Sequence, residues 1–324
     1  MAKADGLIGA YLLREGGGMA LDGWQAVRDW QPGHGVLWVH LPVDSPEAKR
    51  WLEEQSGLEE LEVEALLAEE TRPRVAAWEH TMLVLLRGVN LNPGEQPEDM
   101  VSIRLWSDGQ RIISTRLRSL RAVRSLREDL TAGRGPATVA EFMVELSGRL
   151  ADNMEQVIEE MKDRMDGLEE ALLTHETHAQ HRPLSYLRQH AVQLRRYMAP
   201  QRDAMNRLQS ERVPWIDDDA RTHLREVGDT FTRYLEDIDA LRERATIMRE
   251  ELAGRLAERL ERRMYALAII STVFLPLTFI TGLLGMNVGG IPMAESAWGF
   301  FGVAGVVLLV LVVQLALMRW RRWI

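Results

Sequence analysis

The chain has 324 residues, with 39 lysine and arginine side chains against 48 aspartates and glutamates, and it contains no cysteine. The absence of cysteine excludes disulfide bonds, thiol catalysis and cysteine-ligated zinc or iron–sulfur sites. A net charge of −9 argues against non-specific nucleic-acid binding, and we expect no nucleic-acid partner.

The first part of the chain, residues 1–135, has the mixed pattern of an α/β domain. A helix is predicted to begin at Ser45-Pro46, an N-cap followed by proline, and another is expected over about 59–70. Asp108-Gly109 predicts a hairpin turn between the last two strands. The predicted strands are the apolar runs at 7–13, 36–41, 82–89, 101–106 and 111–117.

The next part, residues 136–263, has a helical pattern throughout. Helices are predicted from about Thr138 to Leu173 and from about Leu184 to Gln209. The third begins near Asp217 and has apolar residues every three or four positions into the following segment. We therefore predict one continuous stalk helix over 217–284, about 100 Å long.

The C-terminal part predicts a transmembrane hairpin. Two stretches without charged residues, 264–284 and 298–318, would each rise about 31 Å as a helix, which matches the hydrocarbon core of a bilayer. Arginines flank the hairpin on both outer sides, whereas the loop 285–297 has none. Positive flanks stay cytoplasmic, so both termini, including the basic tail 319–324, should be cytoplasmic and the loop periplasmic.

One face of the first span mixes small polar residues with apolar residues that would form rings if several copies surrounded a pore, as a pore lining would. A single hairpin cannot enclose a polar path, so a pore would need several copies. The alternative is a plain anchor, in which serine and threonine only help helices to pack. The face consists of Met264, Leu267, Ser271, Leu275, Thr278 and Gly282.

The loop begins with Gly285-Met286-Asn287, directly after the first span. In this position the sequence resembles the CorA/ZntB family of divalent metal-ion transporters, whose signature is Gly-Met-Asn at the outer end of the first of two C-terminal spans. The resemblance implies an α+β membrane protein that forms a funnel-shaped homopentamer, with the first spans lining the pore. It also implies that Gly285, Met286 and Asn287 form the selectivity filter, where neutral oxygens suit a hydrated cation.

Two departures from the family pattern bear on the transported ion. The magnesium branch typically has tyrosine where this chain has Leu284, and an acidic loop where this chain has 289–292 (GGIP), which resembles the zinc branch. We therefore expect Zn²⁺ as substrate, with Mg²⁺, Co²⁺ and Ni²⁺ as alternatives, and no cofactor. Since the chain has no nucleotide fingerprint or catalytic triad, we expect neither ATP-driven transport nor an enzyme. The alternative from another class is a membrane-anchored structural or signalling oligomer.

Two further sets of residues are candidates for metal binding. Imidazoles spaced three apart could share a zinc ion, although polar residues also collect at a helix end. Acidic residues near the start of the stalk helix could sense cytoplasmic cations, although they could equally cap the helix and solvate its surface. The sets are His175, His178 and His181, and Asp217, Asp218, Asp219, Glu226 and Asp229.

Overall fold

The computed structural model describes residues 6–69, 71–173, 181–286, 291, 296 and 298–323. The chain folds into two compact units, Met1–Arg249 and Glu250–Ile324. The strands of the first unit are β1 (Gly9–Leu13), β2 (Met19–Leu21), β3 (Val36–Pro42), β4 (Arg74–Ala77), β5 (Met82–Gly88), β6 (Val101–Ser107) and β7 (Arg111–Arg116). Its helices are α1 (Gly23–Arg28), α2 (Pro46–Glu54), α3 (Glu60–Leu67), α4 (Arg121–Thr131), α5 (Val139–Leu173) and α6 (His181–Ser210).

The strands form one mixed sheet in the order β2-β1-β3-β7-β6-β5-β4, in which β3 and β7 pair in parallel and the other neighbours are antiparallel. Both faces of the sheet are covered. On one face, alternate residues of β3 pack with α2 and α3 in an apolar core that includes Val39, Leu41 and Trp51. On the other face, the ring of Trp38 meets that of Phe142 from α5 at 4.8 Å. This double coverage explains why β3 is almost wholly apolar.

The predicted helix start at Ser45-Pro46 and the predicted hairpin turn at Asp108-Gly109 are both confirmed. The Ser45 hydroxyl accepts a hydrogen bond from the Ala48 amide at 3.3 Å and caps α2. Asp108 Oδ1 accepts from the amides of Gln110 and Arg111, and Gly109 takes a positive φ of 86° in the β6–β7 hairpin. Three short elements, β2, α1 and β4, were not predicted, because each has too few residues to show a period.

The predicted long helix is confirmed: α7 runs from Asp218 to Leu284 as one helix of 67 residues. Within the first unit, ion pairs join it to neighbouring helices. Arg244 donates to Glu169 Oε1 at 2.9 Å and to Asp166 Oδ1 at 2.6 Å, both on α5. These two carboxylates raise the pKa of Arg244. Lys162 of α5 lies 3.0 Å from Asp237 of α7.

The second unit contains the end of α7 and a last helix, α8 (Gly299–Trp320). Among the described residues, α7 and α8 are the two helices long and apolar enough to cross a membrane, and their most apolar windows are entirely unburied. After α8 the chain turns at Arg322, which has a positive φ of 59°. The Tyr265 hydroxyl on α7 donates a hydrogen bond to the Trp323 carbonyl, which ties the end of the chain to the first span.

Candidate ion pathway and metal-binding residues

Each membrane helix has one partly covered side. In the apolar part of α7 most of the partly covered residues, apart from Ser271 and Pro276, recur every three or four positions, at Ile269, Val273, Leu277, Ile280 and Leu284. In α8 the corresponding residues are Val303, Val307, Val310, Gln314 and Met318. Stripes with this spacing indicate that the two helices pack along each other through these sides.

The predicted pore face lies on the opposite side of α7. At about 100° per residue, its positions fall roughly half a turn away from the partly covered stripe. Ser271 is half-buried, and the other members of the face are exposed in the single chain: Met264, Leu267, Leu275, Thr278 and Gly282. Apart from Ser271, the face is therefore free in the single chain to meet lipid or other copies of the chain.

The predicted filter begins where α7 ends. The Gly285 amide donates to the Thr281 carbonyl at 2.9 Å, and a Cβ at position 285 would lie 2.9 Å from that same oxygen. This close approach gives a local reason for glycine at the helix end. Met286 follows with 49% of its surface exposed, and Asn287 lies outside the described residues.

The polar residue of the second span, Gln314, has a more enclosed position than its sequence context indicates. Its Oε1 atom is buried on the partly covered side of α8, with no hydrogen-bond partner among the residues that the structure describes. Gln314 is the single polar residue of the apolar stretch 298–318. An amide without a hydrogen-bond partner is costly within a membrane, so Gln314 is a candidate functional residue of the hairpin.

The acidic residues at the start of α7 lie along the helix rather than around one point. The Asp217 Oδ1 atom accepts the Ala220 amide at 2.8 Å, as an N-cap does. The Asp218 and Asp219 side chains are exposed, with Arg221 and His223 respectively as their nearest charged partners. Glu226 lines a cleft between α4, α5 and α7, and Asp229 is exposed.

Within the part of the chain that the structure describes, no group of three or more His, Asp or Glu side chains is placed to hold a metal ion. Of the histidine set, His175 and His178 lie outside the described residues, and His181 is the first residue of α6. One copy of the chain thus does not bring the acidic candidates together. Metal binding by either set stays a prediction.

Together, these features define a class of protein. An α/β domain is followed by a helix that continues into the first of two C-terminal apolar helices, which is the plan of a two-span membrane protein. Residues 33–322 match the sequence family described as CorA-like Mg²⁺ transporter protein. The chain belongs to this family, whose members are transporters and not enzymes.

Individual relatives support the same placement. The chain is 44% identical to the divalent cation transporter CmaX of Pseudomonas aeruginosa over 91% of its length and 90% of the relative's. It is 35% identical to the zinc transport protein ZntB of Yersinia pseudotuberculosis, over 95% and 92% of the two chains. The full-length CmaX structure covers 99% of both chains with a TM-score of 0.87 and 41% identity.

The fold extends to more distant proteins. The CorA magnesium transporter of Methanocaldococcus jannaschii superposes with a TM-score of 0.82 over 98% of both chains, at 16% identity. At that level of identity the match describes the fold alone. It confirms the predicted CorA-like plan of an N-terminal α/β domain, a long helix and two C-terminal apolar helices.

Proposed function

We propose that the chain is one subunit of a homopentameric pore that carries divalent cations across the bacterial inner membrane, with Zn²⁺ as its preferred substrate. Five copies of α7 surround the pore, and Gly285, Met286 and Asn287 form the entrance filter. The family match and the transporters among the relatives support divalent cation transport. The proposal of five copies around a pore rests on the resemblance to the CorA/ZntB family and on the mostly exposed face of α7.

The observation that carries the proposal is the open side of α7. A helix that packs on its neighbour through one stripe, and has small polar groups and apolar side chains on an opposite stripe that is mostly exposed, is suited to line a central path. Met264, Leu267, Ser271, Leu275, Thr278 and Gly282 form that second stripe. An anchor that meets only lipid has no requirement for threonine, serine and glycine on this side.

The filter is expected to pass ions that keep most of their water. Backbone carbonyls and the Asn287 amide offer neutral oxygens, and the chain has no acidic residue from Arg263 to Ala294. Without anionic ligands, a divalent ion would not be stripped of its hydration shell. Zn²⁺, Co²⁺ and Ni²⁺ are therefore expected to compete for one another's passage.

The choice of Zn²⁺ over Mg²⁺ is supported by two features of the sequence, Leu284 and the segment 289–292, and by the ZntB relatives. A Mg²⁺ and Co²⁺ channel of the CorA type is the second candidate. It is supported by the family description, and the 44% identical relative is named for divalent cations in general.

The orientation follows from the arginines. Arg262 and Arg263 precede the first span and Arg319, Arg321 and Arg322 follow the second, whereas the loop 285–297 has no arginine or lysine. By the positive-inside rule, the α/β domain (1–135), the helical and stalk region (136–263) and the tail (319–324) are cytoplasmic, and the loop is periplasmic. The spans are 264–284 and 298–318.

Metal flux into proteoliposomes that contain only this protein tests the proposal, with Zn²⁺, Mg²⁺, Co²⁺ and Ni²⁺ compared side by side. Thr278→Leu should reduce Zn²⁺ flux about tenfold or more, because five added leucines create an apolar ring that hinders wetting of the pore. Native mass spectrometry of the same samples should give a pentamer.

Val313→Leu is the matched control, because Val313 is an exposed residue of α8 outside its partly covered stripe. This change adds a methylene to the lipid-facing side and should leave flux unchanged. Equal flux through both variants would contradict the lining face. Absence of flux for all four ions in the wild type would favour the membrane-anchored oligomer, and faster flux of Mg²⁺ than of Zn²⁺ would favour the second candidate.

A further inference from the structure

The parallel strands β3 and β7 create a junction that is separate from the membrane spans. After β3 the chain enters α2, which packs on the face of the sheet that contains Val39 and Leu41. After β7 it enters α4, whose Arg127 contacts Tyr11 on the opposite face. Where neighbouring parallel strands send their helices to opposite faces, the crevice at their carboxyl ends is a common ligand site.

Three arginines lie at this junction, and we call them the arginine cluster: Arg116, Arg124 and Arg127. Arg116 is the last residue of β7 and is partly buried, and the other two lie three residues apart on α4. Arg127 is held in place, because its Nε donates to the Tyr11 hydroxyl at 2.9 Å and its Nη2 to the Ile8 carbonyl at 3.1 Å.

The cluster has no counter-charge among the described residues. None of its three guanidinium groups forms an ion pair there, whereas Arg111 pairs with Asp108 and Arg149 pairs with both Asp129 and Glu145. Burial lowers the pKa of Arg116, and the positive charges of Arg127 and Arg124 lower it further. Like charges at a partly buried place repel one another, and an anion bound between them would remove that cost.

A buried histidine lies on the same face of the sheet. His40 is directly opposite Ser114 in the β3–β7 register, and Arg116 is two residues further along β7. The His40 Nδ1 atom is 2.8 Å from the Ser114 hydroxyl, whereas Nε2 is buried without a hydrogen-bond partner in the described part of the chain. The Ser114 hydroxyl donates to the Val39 carbonyl at 3.3 Å and therefore accepts from Nδ1–H, so Nε2 becomes a donor only when the ring takes up a proton, which a bound anion would favour.

We propose that the arginine cluster, with His40 beneath it, binds a phosphate-type oxyanion at the carboxyl edge of the β3–β7 pair. Guanidinium groups are the side chains best suited to the oxygens of phosphate. The ligand is either inorganic phosphate or a phosphoryl group of a nucleotide. The site lies in the first unit and does not depend on the proposed pore.

Calorimetric titration of the full-length protein in detergent tests this site. The probes are sodium phosphate and ADP, each titrated without divalent metal and at constant ionic strength set with sodium chloride. We expect the wild type to bind at least one probe. Arg124→Gln should weaken that binding about tenfold or more, since it removes one charged hydrogen-bond donor. Arg124 is exposed, so its replacement should leave the fold intact.

Arg121→Gln is the matched control, because Arg121 is an exposed arginine of the same helix that lines a different cleft, shared with α5 and α7. Tighter binding of ADP than of phosphate, weakened by Arg124→Gln alone, identifies a nucleotide site. Equal or tighter binding of phosphate with the same loss identifies a free-anion site. The proposal is overturned if the wild type binds neither probe, or if Arg124→Gln and Arg121→Gln behave alike.

Discussion

The two units of the chain place their apolar residues in opposite ways. In the first unit the large apolar side chains are inside, as for Phe142, which is 0% exposed between α5 and the sheet. In the second unit they are outside, as for Phe274 on α7, which is 62% exposed. The first unit therefore completes its own core, whereas the second leaves a large apolar surface of the kind that lipid covers.

The largest effect that would test this contrast comes from removing the same ring in each unit. Phe142→Ala should destabilise the first unit by about 3–5 kcal/mol, because it leaves a cavity beside Trp38. Phe274→Ala should leave the stability of that unit unchanged, since Phe274 belongs to the second unit and most of its surface is exposed. Amide hydrogen exchange of β3 and β7 in the full-length protein measures both free energies. Equal loss of protection in the two variants would show that the units are not energetically separate.

A smaller effect concerns pH and the core of the first unit. Burial, with the charges of Arg116 and Arg127, holds the pKa of His40 well below its usual value. The unfolded chain, with a histidine pKa of about 6.5, then binds a proton that the folded chain does not. The free energy of unfolding should therefore fall as the pH drops below about 6.5. At about pH 5.5 it should be about 1.4 kcal/mol lower than its value well above pH 6.5.

His40→Gln should flatten this pH dependence, and exchange of the same β3 and β7 amides between pH 7.5 and 5.5 measures it. His190→Gln should have a smaller influence. Burial also lowers the pKa of His190, but the Glu98 carboxylate 3.0 Å away opposes that shift. An unaltered slope in His40→Gln would mean that another group accounts for the acid sensitivity.

Much of the fold could be predicted from the sequence because its signals are local and repeated. The apolar spacing from Leu235 to Leu267 predicts a single helix, and α7 confirms it. Ser45-Pro46 and Asp108-Gly109 each specify a backbone geometry through one or two residues. The parallel pairing of β3 with β7 could not be predicted in this way, because it pairs residues 74 positions apart in the chain, such as Leu37 with Arg111.

The candidate sites divide along the same line. The stripe from Met264 to Gly282 could be predicted from the sequence, because helical spacing alone places these residues on one side of α7. In the sequence the arginine cluster is part of a basic run over residues 111–127, which a strand followed by a helix surface is enough to explain. What separates Arg116, Arg124 and Arg127 from the paired arginines is that no carboxylate of the described residues lies within ion-pair distance of them, which depends on the tertiary fold.

The smallest effect we predict lies where α7 is attached to the rest of the first unit. Arg244→Gln removes the pairs to Asp166 and Glu169 on α5, but all three side chains are more than a third exposed. Exposed pairs contribute little, so exchange of the α7 amides should report a loss below about 1 kcal/mol at low salt. The difference should shrink at 1 M salt, where charges are screened within about 3 Å.

Arg249→Gln is the control on the same helix, since Arg249 is exposed and forms no ion pair with the described residues. A loss of several kcal/mol for Arg244→Gln that persists in salt would mean that these pairs, rather than apolar packing, hold α7 in the first unit.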